Sequence, residues 1–518
     1  MASSGTSKLL KGSFLIMIGN LLFRVGGYIY RVLMTRLLGP EGYGLLGLTL
    51  PFQGIFQILA AGGLPPAIAK YVAQHRALNE EEMARQVVVT SLKVMIFLGI
   101  AFSLVMFFTA PWLANDFFHK PAAQYPLQAV ALITPFSVIV GAFRGAFQGI
   151  YRMEYVVITR AVEQVFMITM AVVFVMAGFY AAGAVIGTSM GFLASAISAI
   201  IIFRRLINSY FPPAPPEKRL GLREELGLVK TLISFSIPVI ITALSEMAIY
   251  DISVFVIGYF MATTSVGYYT AADPVARLPL VISMSVATAV LPAASEAFAL
   301  KDQKLLETYI VQSYRVVTLL VLPMCVGIAV FSGPLLELLF GRDFIFGAGA
   351  LSILVVGMSF YTLFMISSSI TQGIGYPRLP MYVLVGGTII NLVLNVALVP
   401  MLGIEGGALA TTLAALIIMI IILWKTTQIT GVKLPGMAFI RIATASGVMG
   451  GFMMLLPQNI PGLLAAIIFA PLVYGLSILL VGGVERRDVR LIRRLGARMG
   501  PLSGAVARMA DLMDRWAR

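Results

Sequence analysis

Apolar residues run along this chain in long blocks, parted by short polar, glycine- or proline-containing breaks. A block of about 20 apolar residues is the length of a helix that crosses the hydrocarbon core of a bilayer. Fourteen such blocks are found, near residues 12–35, 45–72, 87–112, 126–150, 155–178, 181–203, 231–260, 267–297, 309–333, 346–373, 379–400, 404–424, 437–456 and 462–482. The pattern predicts an all-α polytopic membrane protein with about 14 transmembrane helices.

The blocks repeat. QGIYR (Gln148–Arg152) returns as QGIGYPR (Gln372–Arg378), Leu64-Pro65 as Leu291-Pro292, and Gly42-Tyr43 as Gly267-Tyr268, at offsets of 224, 227 and 225 residues. Two copies of one six-span unit account for this. Six is even, so both copies enter the membrane from the same side, the parallel-repeat arrangement of transporters whose halves rock against each other. The expected organisation is an N-terminal six-helix lobe (1–205) and a cytoplasmic linker (206–230) that contains YFPPAPPEKRLGLREELG. A C-terminal six-helix lobe (231–425), two additional transmembrane helices (426–483) and a basic amphipathic cytoplasmic tail (484–518) follow. In the tail, Val489, Ile492, Leu495 and Met499 recur at helical spacing among Arg486, Arg487, Arg490, Arg493, Arg494 and Arg498, which fits a helix lying on anionic headgroups.

Composition strengthens the membrane reading: 59% of the 518 residues are hydrophobic and 12% charged, with a mean hydropathy of +0.94. The formal charge of +14 is assigned to positive-inside loops and lipid headgroups rather than to nucleic acid. With the N-terminus cytoplasmic, the inside loops collect Lys8, Lys11, Arg76, Arg85, Arg152, Arg204, Arg205, Lys218, Arg219, Arg223, Lys301, Lys304, Arg378, Lys425, Lys433 and the tail arginines. The outside loops keep Arg36, Lys120 and Arg342. Both termini are therefore expected inside. Lys8 and Lys11 precede an apolar stretch too long for a cleavable signal. The single cysteine, Cys325, sits in an apolar run and excludes an internal disulfide. No P-loop motif, Cys/His metal set or nucleophile–base pair is present, so no enzyme and no resident cofactor is expected.

Charge inside the apolar blocks is the candidate chemistry. Asn20, Arg24, Tyr28 and Arg31 share one helical face of the first span, with Arg31 about 10 Å above Arg24. Buried ionisable residues in membranes mark cavities and pathways, and a guanidinium suits phosphate because it donates two parallel hydrogen bonds. The competing explanation is snorkelling, or pairing with Glu163 or Glu246. Arg144 lies in the fourth span beside a stripe of Gly141, Gly145 and Gly149 that allows close helix packing. Arg277 lies in the eighth span, with Asp273 one turn away as a local ion-pair partner. Spans two and eight read as broken at matching places, by Pro51, Pro65 and Pro66 and by Pro274, Pro279 and Pro292. In the second copy Asp251 and Glu246, Asn391, Asn395, Thr411 and Thr412 supply oxygen ligands for a Na⁺ or H⁺ site; interhelical hydrogen bonding explains the same residues.

The opening stretch LKGSFLIMIGNLLFRVGGYIYRVLMTRLLGPEGYGLLGL resembles that of polysaccharide-type flippases of the multidrug/oligosaccharidyl-lipid/polysaccharide exporter superfamily. The stage V sporulation protein B-like and lipid II flippase branches are the nearest in likeness. The resemblance covers the whole chain. It implies a protein of the prokaryotic cell membrane, read as a monomer, that moves a polyprenyl-pyrophosphate-linked sugar by alternating access. Arg24 and Arg31 would then hold the pyrophosphate with Arg277 opposite, and Asp251, Asn391, Asn395 and Thr411 would form the Na⁺ site. One position that is acidic in the family is Asn395 here, which weakens such a site. The last two spans would frame a groove for the lipid tail. Two alternatives stand beside this: a cation-coupled drug exporter of the same fold, and a membrane glycosyltransferase.

Overall fold

A computed structural model of the chain describes residues 2–213, 215, 220–434 and 436–483, with side chains from Arg24 onward except at 207, 208 and 222. The predicted tail helices at 484–518 lie outside the described residues. The protein is all-α, and the described residues contain no strand. In chain order the helices are α1 (Ala2–Ala61), α2 (Leu64–Ala77), α3 (Glu81–Trp112), α4 (Gln124–Gly149), α5 (Met153–Phe174), α6 (Tyr180–Tyr210), α7 (Leu222–Phe260), α8 (Thr263–Ala276), α9 (Leu280–Ala299), α10 (Gln303–Val330), α11 (Ser332–Phe340), α12 (Ala348–Gly373), α13 (Arg378–Thr430), α14 (Gly436–Met454) and α15 (Ile460–Leu480). They form two compact units, Met1–Thr270 and Ala271–Arg518.

Eleven helical segments among the described residues are long and apolar enough to cross a membrane. Three of them, Arg24–Ala77, Met153–Leu206 and Arg378–Thr430, run for 53 or 54 residues. A straight helix of that length would span about 80 Å, against a hydrocarbon core of about 30 Å. Each turns at a glycine with positive φ: Gly39 (66°), Gly178 (92°) and Gly403 (65°). Only glycine takes that conformation without penalty, and Pro40 after Gly39 disfavours continuing the helix. Fourteen crossings are the sequence's count; the structure's count is eleven segments.

These corners recur at the repeat distance. Gly178 and Gly403 are 225 residues apart, and Tyr151 (φ 59°) stands 224 residues before Gly375 (φ 94°), within the repeated QGI motifs. The proline breaks do not recur in this way. Pro51 and Pro292 sit inside helices. The first break falls at Gly62-Gly63, after which Pro65 and Pro66 open α2. The second falls at residues 277–279, where Pro279 precedes α9. The expectation of matching breaks is corrected accordingly.

In the first unit, α2, α3, α4 and α6 bury a common core that includes Ile68, Val72, Val87, Met95, Phe143, Phe147 and Phe203. The glycine stripe of α4 works as expected: a Cβ on Gly145 would lie 2.6 Å from the Pro65 carbonyl oxygen on α2. The second half of α1 crosses the start of α8 so closely that a Cβ on Gly44 would meet the Thr263 carbonyl oxygen at 1.9 Å, and one on Gly267 would meet that of Pro40 at 2.1 Å. The Gly-Tyr repeat thus marks a backbone-to-backbone crossing.

One end of this unit is basic and interlocked. Arg152 donates to the Tyr210 (2.9 Å) and Tyr155 (2.8 Å) hydroxyls and pairs with Glu154. Arg76 lies 4.9 Å from the Tyr210 ring, and Arg85 donates to the Phe211 carbonyl. At the other end Lys120 donates to the carbonyl oxygens of Phe118 (3.1 Å) and Gly258, and burial holds its ammonium below the ordinary lysine value.

In the second unit α14 and α15 pack on α10 and α11 around Phe331, Met449, Met453 and Leu463. Arg315 and Arg441 donate to the carbonyl oxygens of Gly483 (3.3 Å) and Gly482 (3.0 Å), at the end of α15. Cations placed there satisfy carbonyls that the helix leaves unbonded. Cys325 is buried within α10.

Candidate functional site

The first half of α1 has three distinct faces. At 100° per residue, Gly26 and Tyr30 fall about 200–240° round the helix from Arg24. This is the packed face: Gly26 abuts Gln164 of α5, and the Tyr30 hydroxyl reaches the Ala184 carbonyl (3.2 Å) and Thr188 Oγ1 (3.4 Å) of α6. Val25 and Ile29, at about 100–140°, are 50% and 48% exposed and form an apolar outer face. Arg24, Tyr28 and Arg31 fall within about 60° of one another, on a third face that the first unit leaves partly open: Arg24 is exposed, Tyr28 and Arg31 half-buried. Asn20 belongs to the part of α1 whose side chains lie outside the described set.

The other arginines differ. Arg144 of α4 donates through an NH2 to Glu163 Oε2 (2.7 Å) and to the Ser195 hydroxyl (3.2 Å), and through Nε to the Thr159 hydroxyl (3.1 Å). Ser195 donates onward to the Thr159 carbonyl. The ion pair is largely buried, with side-chain exposures of 15% and 5%. It joins α4, α5 and α6 within the first unit. Glu163, one of the two acids considered as a partner for the α1 stripe, is thus bonded to Arg144. Thr159 and Ser195 escaped the sequence reading, because a hydroxyl in an apolar helix carries no signal until its partner helix is known. Arg277 makes a bidentate pair with Asp273, 2.9 Å from Nε and 2.6 Å from NH2, the local alternative that their spacing raised.

Among the oxygen-bearing residues, Asp251 is half-buried on α7 in the first unit. Asn391, Asn395 and Thr411 are buried on α13 in the second. Asn395 Nδ2 donates to the Asn391 side-chain oxygen (2.8 Å) and carbonyl oxygen (2.9 Å). Its own Oδ1 is buried and accepts no hydrogen bond among the described residues. Thr412 bonds the Ile353 carbonyl of α12. The described residues contain no cluster of three His, Cys, Asp or Glu side chains.

The chain is all-α, with many helices long and apolar enough to cross a membrane. Comparison with known proteins sharpens that. The family model described as "Polysaccharide biosynthesis protein" matches residues 9–298, more than half of the chain, and the protein belongs to that family. A second model, MatE, matches residues 238–397. The lipid II flippase of Bacillus subtilis is 25% identical over 442 residues, 79% of this chain and 80% of the relative. Stage V sporulation protein B of the same bacterium is 26% identical over 426 residues, covering 77% and 80%. A solved structure of a lipid II flippase in an inward closed conformation shares the fold, with a TM-score of 0.72 at 17% identity over 90% of this chain and 98% of that one. The relatives are flippases and transporters rather than enzymes, which removes the glycosyltransferase reading.

Proposed function

We propose that the protein is a flippase of the prokaryotic cell membrane for a polyprenyl-pyrophosphate-linked oligosaccharide, either a cell-wall precursor or a polysaccharide repeat unit, working by alternating access. The observation that carries this reading is the third face of α1. Two guanidinium groups and a phenol lie in line there, turned away from the packed face, on a helix whose outer face is apolar enough for lipid. A guanidinium suits phosphate because it donates two parallel hydrogen bonds, and pyrophosphate on a lipid carrier offers paired oxygens to match. By its spacing in the sequence Asn20 shares the same helical face. Arg144 and Arg277, already bonded to carboxylates, would shape the field of the cavity rather than hold the phosphates. The recurring glycine corners support two six-span lobes at 1–205 and 231–425. The basic, interlocked end of the first unit supports cytoplasmic termini. Depleting the protein should make one lipid-linked saccharide accumulate in the inner leaflet. Arg24→Ala should fail to relieve that accumulation and Arg24→Lys should relieve it in part, because an ammonium cannot make the two-pronged bond. Full relief by Arg24→Ala would sink the reading.

A second reading, cation-coupled drug export, is favoured by the MatE match. Both readings admit ion coupling. The buried Asn395 Oδ1 without a donor suits a hard cation, and we propose Na⁺ held by Asp251, Asn391, Asn395 and Thr411. Export from vesicles should then rise with an imposed Na⁺ gradient, and Asp251→Asn should remove that dependence. Transport indifferent to Na⁺ and pH in the unaltered protein would make the cluster helix-to-helix glue.

A further inference from the structure

An open recess with a mixed polar and apolar lining lies at the basic end of the first unit, where α2 meets α7. It offers about 470 Å³, open on one side, and is lined by Tyr71, Lys230, Thr231, Ser234 and Phe235, of which Lys230, Thr231 and Ser234 are exposed. Lys70 belongs to the same place, for its Nζ lies 4.5 Å from the centroid of the Phe235 ring and 5.1 Å from that of Tyr71. The rings meet edge to face at 6.3 Å. Lys230 is eight residues into α7, and Lys70 is seven residues before the end of α2. At 1.5 Å per residue both lysines are anchored about 10–12 Å in from the helix ends, and both are exposed.

Charge pairing distinguishes these lysines from their neighbours. At the same end Arg76 faces Glu81 (3.6 Å), Lys93 faces Glu225 (2.8 Å) and Arg152 faces Glu154. Among the described residues neither Lys70 nor Lys230 has an ion pair. Lys70 rests on ring faces instead, an interaction of about 0.5–1 kcal/mol at exposed sites, which a real anion would readily replace. Around the two cations stand two hydroxyls and two aromatic rings. Thr231 uses its proton on the Gly227 carbonyl, so its oxygen is left to accept. Cations recognise phosphate; hydroxyls and ring faces recognise the alternating O–H and C–H surface of a polyol.

We propose that this recess binds a phosphorylated polyhydroxyl headgroup, with the phosphate between Lys70 and Lys230 and the hydroxyl-bearing carbons against Tyr71, Phe235, Thr231 and Ser234. Such a group comes from two sources: the sugar phosphate of a lipid-linked saccharide, or the glycerol phosphate of a bilayer lipid. The site is separate from the α1 stripe and stands whichever compound the protein moves.

Lysine acetylation followed by mass spectrometry reads the site directly in the purified full chain, with exposed Lys304 and Lys433 as internal controls. In uncharged detergent, glucose 1-phosphate at four times its dissociation constant should slow modification of Lys70 and Lys230 about fivefold. Inorganic phosphate should do less, and Phe235→Leu should lose the difference between them. In lipid nanodiscs, phosphatidylglycerol should protect both lysines relative to phosphatidylcholine. Protection by glucose 1-phosphate assigns a saccharide source; protection by phosphatidylglycerol alone assigns the bilayer. If neither probe slows Lys70 and Lys230 beyond the controls, or if inorganic phosphate matches glucose 1-phosphate and the discs do not differ, the proposal is wrong. None of these outcomes depends on transport, so the flippase reading is tested apart.

Discussion

Four arginines in apolar helices look alike in the sequence and part company in the structure. Arg277 was decipherable, because its partner Asp273 is one turn away and the pair bonds in both prongs. Arg144 was not, because Glu163 and Ser195 lie 19 and 51 residues further along the chain, and only the packing of α4 on α5 and α6 brings them together. Arg24 and Arg31 differ again: the periodicity of one helix put them on a common stripe, and the packed face marked by Gly26 and Tyr30 put that stripe on the other side. The distinction predicts different behaviour on mutation. Glu163→Gln strands a buried guanidinium and should destabilise the first unit by about 3 kcal/mol or more. The paired change Arg144→Met with Glu163→Leu removes both charges at similar volume and should recover most of that loss. Thermal unfolding of the purified protein in detergent checks both. A single and a double change that cost the same would show that the bridge carries no buried charge worth pairing.

Helix boundaries show where sequence patterning succeeds and where it reads the wrong residue. Hydrophobic length found the crossing segments, since hydrocarbon leaves a backbone no alternative to its own hydrogen bonds. The same constraint explains why proline proved a poor guide to breaks. Pro51, Pro135, Pro238, Pro292, Pro323 and Pro471 all lie within helices, where leaving one bond unmade is cheaper than exposing a whole turn to lipid. The chain turns instead at glycines that accept positive φ, at Gly39, Gly62, Gly63, Gly178 and Gly403. A glycine's φ is not written in its neighbours. Many other glycines in the same helices serve close approach, as Gly145 does under Pro65. What the sequence did contain was the repeat, and in the structure two of these corners, Gly178 and Gly403, share the offset of the Gly-Tyr motif.

At the scale of the molecule, the candidate site was readable only in part. Asp251 lies on α7, and Asn391, Asn395 and Thr411 lie on α13; spacing along a chain does not encode how separate helices pack. Orientation is simpler, because it depends on a bias spread over many loops. The structure adds geometry to that bias. Arg76, Arg85 and Arg152 gather at one end of the first unit through Tyr210 and Phe211. Lys120, drawn onto the carbonyls of Phe118 and Gly258, occupies the other end. If the basic end is cytoplasmic, the loop at 118–123 and the turn at 341–343 face outward, and the turns at 300–304 and 431–434 face inward. A chain with Cys325→Ala as background and one new exposed cysteine tests this. Ala122→Cys and Asp343→Cys should react with a membrane-impermeant maleimide on intact cells. Lys304→Cys and Lys433→Cys should react only after permeabilisation. The pattern also tests the crossings, for outward residue 122 and inward residue 304 require an odd number between them. The same parity must hold between 343 and 433. Counting each long segment as two crossings puts five between 122 and 304: α4, the two limbs of Met153–Leu206, α7 and the α8–α9 pair. It puts three between 343 and 433: α12 and the two limbs of α13. Were Gly178 or Gly403 only a bend within a single crossing, one of these numbers would become even, and both cysteines of that pair would label from the same side.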